Sequence, residues 1–371
     1  MFRLSHRSLT ILAVACVAGV ASAQDAAPAP KRAEGDGPFD KLILRGANLI
    51  DGTGAPTRGP VDIVIEKNKI TAVVDVGYPN LPIDPTKRPK GPAREIDANG
   101  MYVMPGFVDL HVHSCGVPKA PDAEYCYKLW LAHGVTTVRG VPFGGFEWSA
   151  SETKRANANE ITAPRMYNYQ RIGLGKGWTG GPILTPDKGR EWVRWAHDNG
   201  VDGLKLGAHE PAIMAAVLDE ARKLGMGSTA HLGQTGVVDM NGADAVKLGL
   251  GAITHFYGIF ESMYDNAKVQ PWPVGMNYND EQYRFGQVAR QWNMVTPHGE
   301  KWNAFLKLLK DNDATLDPTM TTYMSGRDLM RRRNADWHEK YTLPSLWDFY
   351  TPNRANHGAY FYNWTTWDEV A

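Results

Sequence analysis

The sequence predicts an α/β protein: a TIM-type (β/α)8 barrel, with seven strands present, preceded by a small N-terminal β-sandwich-like domain. Three observations lead there. Short β-type runs fill residues 39–104. After Gly106, helical stretches end in glycine and pass at once into short β runs, as in "LWLAHG/VTTVR", "WAHDNG/VDGLKLG", "DEARKLG/MGSTAHL" and "AVKLGLG/AITHF". Gly134, Gly200, Gly225 and Gly249 stand there as C-terminal helix caps. Finally, histidines and one lysine recur at the ends of those runs. Helix followed directly by strand, repeated, marks parallel βα units. A doubly wound open sheet fits the same alternation, but no glycine-rich phosphate loop follows any strand, which weakens its nucleotide-binding version.

The chain has 371 residues, 43% hydrophobic and 22% charged, enough for one large core or two unequal ones. Lys plus Arg equals Asp plus Glu at 40 each, so nothing marks a nucleic-acid or anionic-membrane surface. The basic cluster Arg331, Arg332, Arg333 reads as a solvated helix face. Residues 1–23 read as a secretory signal peptide: Arg3 and Arg7, an apolar stretch over 9–20, then Ala21-Ser22-Ala23. That stretch is well short of the ~20 residues of a spanning helix, and Cys16 lies too early in it for a lipoprotein site. The expectation is an exported, periplasmic or secreted protein without a stable membrane anchor. Cleavage leaves Cys115 and Cys126, whose pairing the sequence leaves open.

The elements follow in order. Residues 24–38, rich in Ala, Pro, Gly and charge, read as a flexible leader. Residues 39–104 form the small β domain, with "EKNK" as a hairpin turn between "VDIVI" and "ITAVV". Residues 105–371 form the barrel, with strands expected at 106–113, 135–139, 164–170, 201–207, 226–232, 252–256 and 314–318.

Active sites of parallel barrels lie at the C-terminal ends of the strands. The first strand carries His111 and His113, two apart and therefore on one side. The fourth carries Lys205, and the fifth and sixth end in His231 and His255. A lone strand-end histidine is usually a hydrogen-bonded loop residue, and a lone lysine can snorkel. Three successive strands each delivering a nitrogen group after an H-x-H strand point instead to a metal site, with Zn2+ favoured and Mn2+ or Fe2+ able to use the same donors.

In that order, "LRGANLIDGTGAP", "VDIVIEKNKITAV", "GMYVMPGFVDLHVH", "HGVTTVRG", "VDGLKLG", "AHLG" and "ITHF" resemble the amidohydrolase superfamily, most closely its exported prolidase-like and imidazolonepropionase-like members. The resemblance runs from Lys41 to Pro318 and is most specific in P-G-F-V-D-x-H-x-H. It implies two divalent ions, with His111 and His113 on the more buried one, His231 and His255 on the second, and a carboxylated Lys205 bridging them. It also implies a proton-shuttling aspartate at the end of an eighth strand. Asp317 finishes the seventh strand instead, and Asp328, Asp336, Asp348 and Asp368 follow no apolar β run. The chain therefore reads as stopping before that strand, and as catalytically incomplete on that account.

The implied activity is hydrolysis of an amide or cyclic amide C–N bond in a small-molecule substrate by a metal-activated hydroxide, a dipeptidase being one version. The same site suits ester, lactone or phosphotriester hydrolysis, and a non-catalytic metal-binding barrel would keep the histidines without the acid. Trp272, Tyr278, Tyr283 and Trp292 are candidate pocket walls or packing residues, and 173–181 reads as either a lid or a turn-rich loop.

Overall fold

The computed structural model describes residues 25–351 apart from 114, 234, 235 and 279, so residues 1–23, read above as a signal peptide, with Cys16, and Asp368 lie outside the described residues. Strands β1 (Lys41–Leu49), β2 (Arg58–Glu66), β3 (Lys69–Asp75), β4 (Arg94–Asp97) and β5 (Tyr102–Val103) make one mixed sheet. β1, β2 and β3 pair antiparallel, while β4 and β5 run parallel to β1. The β2–β3 hairpin turns at Lys67, whose φ is 55°. Asp62, at a position that alternation would leave exposed, is fully buried, because it accepts hydrogen bonds from Arg45 at 2.7 Å and from the Gly46 amide at 2.9 Å. A buried carboxylate persists only with such partners.

The second sheet is parallel throughout and follows chain order: β6 (Phe107–Val112), β7 (Val135–Gly140), β8 (Arg165–Arg171), β9 (Gly203–Leu206), β10 (Gly227–Ala230), β11 (Ala252–Thr254) and β12 (Thr315–Asp317). Each expected strand is found, with ends that differ from the expectation by no more than two residues. Seven parallel strands with intervening helices, beside a separate β domain, make the barrel architecture. Helices α1 (Glu124–Ala132), α2 (Phe146–Asn157), α3 (Pro186–Asp198), α4 (Pro211–Lys223) and α5 (Gly242–Lys247) link successive strands, and α6 (Glu281–Trp292) and α7 (Glu300–Asp311) lie between β11 and β12.

The sequence explains these helices locally. α3 opens with Thr185 capping the Lys188 amide and Pro186 in the first turn, and it ends before Gly200, whose φ is +84°. Its buried face presents Trp192, Val193 and Ala196. α4 opens with Glu210 capping two amides ahead of Ile213, Met214, Val217 and Leu218, all buried. Each large apolar side chain so covered contributes about 1.5–3 kcal/mol. The two helices meet at Gly189, where a Cβ would stand 2.8 Å from Val217 Cγ1, so any side chain there would force them apart.

The barrel interior is filled by Tyr169 of β8. Its ring lies across Gly203 and its hydroxyl over Gly227, leaving no room for a Cβ at either position, and the Arg139 guanidinium sits 5.2 Å from the ring centre. Among the described residues no helix is long and apolar enough to cross a membrane.

The leader expected to be flexible is instead laid along the barrel where it is described. Ala26 and Ala29 are each 2% exposed. The Ala27 amide donates to Pro121 O at 3.1 Å, the Ala29 amide to Glu152 at 3.1 Å, and the Arg32 amide to Glu160 O at 2.8 Å. Composition suggested flexibility because the small alanines carry no periodic signal. Their size is what lets the segment sit close against α1 and α2.

Candidate active site

All five nitrogen-bearing side chains come together at the C-terminal end of the barrel. His111 lies in β6, Lys205 in β9, and His113, His231 and His255 fall one residue beyond β6, β10 and β11. Ring centres are 5.3 Å apart for His111 and His113, 4.7 Å for His111 and His255, and 4.8 Å for His231 and His255. Two imidazoles on one tetrahedral zinc, with bonds of about 2 Å, have ring centres about 5 Å apart. Among the described residues, however, no three His, Cys, Asp or Glu side chains already stand in an arrangement that would hold a metal ion. The cluster is assembled around Lys205, which stands in register with Arg171 on one side and Thr229 on the other.

Local geometry aims the rings. His255 has φ +63°, a left-handed conformation that costs a non-glycine residue about 1–3 kcal/mol and persists only where its surroundings enforce it. Here its amide donates to Asp317 O at 2.9 Å, and its Nδ1 lies 2.7 Å from Thr319 Oγ1. The Thr319 hydroxyl donates to Pro318 O, so Nδ1–H of His255 is the donor to Thr319. His113 Nδ1 faces Pro142 O at 2.8 Å, and a carbonyl only accepts. Both rings are thereby fixed with the proton on Nδ1 and the lone pair on Nε2, the tautomer of a metal-ready histidine.

Two buried nitrogens are left without a hydrogen-bond partner: His111 Nδ1 and Lys205 Nζ. Asp317 Oδ2 approaches His111 Nδ1 to 3.4 Å, too poorly aligned for a hydrogen bond. Burial pushes the His111, His231 and His255 imidazoles below their ordinary range, with Lys205 and neighbouring rings adding to it, and His231 falls to about 3. His113 also falls to about 3, through burial and then His111, although its ring opens to the mouth and water softens the effect. Burial lowers Lys205 to about 7 against the opposing pull of Asp317. The imidazoles are therefore neutral at neutral pH, the form that binds metals.

Sequence reasoning assigned no site role to Asp317. It ends the seventh strand, as read, but its carboxylate turns into the cluster and accepts from Arg139 at 3.1 Å. Burial works to raise its pKa, and His111, Arg139 and Lys205 outweigh that and hold it below the ordinary carboxylate value. Arg139 of β7 and Arg171 of β8 were missed as well. The available signal was the one used for the histidines, a polar residue at a strand end.

Trp292 is a packing residue, with Phe260 and Phe256 at ring-centre distances of 4.7 and 5.6 Å. The glycine-rich loop 173–181 is tied to α3 by Trp192, which donates to Leu174 O at 2.9 Å, and is closed on itself by Trp178, which donates to Gly181 O at 2.7 Å. Cys115 and Cys126 form a disulfide, Cα to Cα 6.0 Å, that fastens the loop after His113 to α1.

No family model matches the chain. In sequence it is similar to a dihydroorotase of Anaeromyxobacter dehalogenans, 28% identical over 226 residues, which are 58% of this chain and 48% of that one. It is also similar to a dihydroorotase of Mycobacterium tuberculosis, 28% identical over 206 residues, 51% and 43% of the two chains. An N-acyl-D-aspartate deacylase of Alcaligenes xylosoxydans is 35% identical over 98 residues, 26% of this chain and 16% of that one. The chain spans about half the length of the dihydroorotases it matches. Among solved structures, an Xaa-Pro dipeptidase with methionine bound in its active site shares the fold, with a TM-score of 0.50 at 17% identity over 83% of this chain and 72% of that one. Sequence likeness and fold together support the resemblance to the amidohydrolase superfamily.

Proposed function

We propose that the protein is a metal-dependent hydrolase that opens an amide or cyclic amide C–N bond in a small molecule. In this reading His111, His113, His231, His255 and a carboxylated Lys205 hold two divalent ions, Zn2+ suiting the donors best. The observation that carries the reading is the pair of buried, unpartnered nitrogens, His111 Nδ1 and Lys205 Nζ, beside two rings whose Nε2 lone pairs are free of protons. When bound, such ions supply hydroxide near neutral pH and polarise the carbonyl under attack.

The chain's own residues complete the chemistry. Lys205, lowered to about 7, is substantially unprotonated at neutral pH, and only the free amine adds carbon dioxide, losing a proton to give a carbamate anion. Pro142 O and Thr319 Oγ1 hold His113 and His255 in orientation. Asp317, kept ionised and held at Oδ2 by Arg139, is the carboxylate the cluster offers as a proton acceptor. The Cys115–Cys126 disulfide supports the export reading of residues 1–23, since such bonds persist in oxidising compartments.

The test is turnover of a panel of N-acyl amino acids, dipeptides and cyclic amides beside matched esters and lactones, with zinc and bicarbonate supplied. Amide cleavage that a chelator abolishes and zinc restores is expected. Turnover indifferent to the chelator, or confined to esters and lactones, would refute the assignment.

A further inference from the structure

The loops around His113 are held from outside by a segment that belongs to neither sheet. Residues 25–32 cross α1 and α2, and one side of α2 reads them in order. The Gly145 amide donates to Asp25 Oδ1 at 2.9 Å, Trp148 Nε1 to Ala26 O at 2.9 Å, and Arg155 to Ala29 O at 2.5 Å, while Glu152 accepts from the Ala29 amide at 3.1 Å. Positions 145, 148, 152 and 155 follow the spacing of a single helix face. On its other side the segment meets the chain just ahead of α1: the Ala27 amide donates to Pro121 O at 3.1 Å, and Ala27 O accepts from the Ala123 amide at 3.0 Å.

Both docking points lead to His113. The stretch up to Ala123 is the loop that His113 opens. The loop 141–145, between β7 and α2, carries the Pro142 carbonyl that holds His113 Nδ1 at 2.8 Å, and its Val141 amide donates to Val112 O at 3.1 Å. The packing is continuous as well. Ala26 and Ala29 share one buried apolar cluster with Val112, the residue before His113, and with Phe143, the residue after Pro142. Asp25 stands where the second loop turns into α2. The N-cap of α2 is Gly145, which has no side chain to cap the helix, and the Asp25 carboxylate supplies the acceptor instead. A Cβ at Gly144 would stand 2.3 Å from Asp25 Oδ1, and one at Gly145 2.7 Å from Oδ2, so the two glycines are what admit the carboxylate.

We infer that Asp25 is a positioning residue for the metal centre: by anchoring Gly145 it fixes the 141–145 loop, and with it the Pro142 carbonyl on His113. The His113 side chain opens to the mouth, so it depends on that carbonyl for its orientation. An imidazole free to turn must be ordered at each binding event, and the metal is held less tightly for it. This inference rests on the metal-hydrolase reading, which makes His113 a ligand, but the hold of Asp25 on the two loops can be read without metal.

The experiment is a zinc competition titration of the full chain against a chromogenic chelator, with backbone hydrogen exchange followed on the same protein free of metal. Asp25→Ala should weaken zinc binding about tenfold, the low end for the outer supports of a metal ligand. It should also speed exchange in 115–123 and 141–145 while α3 and α4 keep their wild-type protection. Asp25→Asn retains an acceptor for the Gly145 amide and should keep most of the affinity. Asp36→Ala breaks an exposed ion pair with Arg94, at 2.9 Å, further along the chain, and should change neither reading. A double-mutant cycle separates positioning from general loosening: the loss caused by Asp25→Ala should vanish in a His113→Ala background and persist in His231→Ala. Zinc held as tightly by Asp25→Ala as by the wild type, or a loss undiminished in His113→Ala, would overturn the inference. A wild type that binds no zinc would sink the metal reading on its own, and exchange then decides the rest. Faster exchange of both loops in Asp25→Ala would uphold the anchoring role, and unchanged exchange would remove it.

Discussion

Replacing Lys205 by methionine should make the metal-free protein more stable and the metal-binding protein useless. Lys205 is 6% exposed, its Nζ has no hydrogen-bond partner, and burial lowers its pKa from 10.5 to about 7. At about 1.4 kcal/mol for each tenfold, carrying the charged form in the native state costs up to about 5 kcal/mol. Structural relaxation reduces this, and an apolar replacement of similar volume should recover about 1–4 kcal/mol. The pH dependence follows from where each state releases its proton. The unfolded lysine keeps its proton up to 10.5 and the native one releases it near 7, so between those values the unfolded chain binds more protons and stability rises with pH. The cost is complete at and below pH 7 and vanishes above 10.5. Urea midpoints of wild type and Lys205→Met, in chelator and carbon-dioxide-free buffer, should therefore differ most near pH 7 and converge toward pH 10. A variant less stable than wild type at pH 7, or a gap that does not narrow, would refute the reasoning.

Three further outcomes follow from neighbouring contacts. Asp317→Ala leaves Arg139 buried without its counter-charge, both side chains being 11% exposed, and should cost about 3–5 kcal/mol in urea unfolding; a loss below about 0.5 kcal/mol would show the pair to be dispensable. Reducing the Cys115–Cys126 bridge, which closes a separation of 11 residues, should cost about 3 kcal/mol by loop entropy. Melting with and without dithiothreitol measures it, and a Cys115→Ser/Cys126→Ser double variant should ignore the reductant. His231, lowered to about 3 chiefly by burial, is neutral in the native state while its unfolded form protonates below 6.5. The unfolded chain then binds the extra proton, so the metal-free protein should lose up to about 2 kcal/mol for this residue between pH 6.5 and 5, and His231→Phe should flatten that part of the profile.

What the sequence disclosed and what it withheld have one physical cause. Strand positions and strand-end histidines are properties of short segments: apolar runs set the strands, glycine stops the helices, and alternation turns His111 and His113 to one side. Contacts between distant segments leave no such trace. Arg139 and Asp317 meet across 178 residues, and nothing around "TLDP" indicates that the carboxylate will turn toward His111. Asp62 reads as the polar side of an alternating strand until Arg45 is seen beside it. The alanines of the leader look featureless because their smallness matters only against α1 and α2. Tyr169 is one more aromatic in a β run until the glycines at 203 and 227 show the space it fills.

The central claim, a metal centre built from four histidines and Lys205, is tested most directly by metal content. The purified full chain, equilibrated with zinc and bicarbonate and then freed of loose metal, should retain about two zinc ions. Lys205→Met and His231→Phe should each retain fewer. A wild type that retains none, or variants that hold as much as the wild type, would contradict the account.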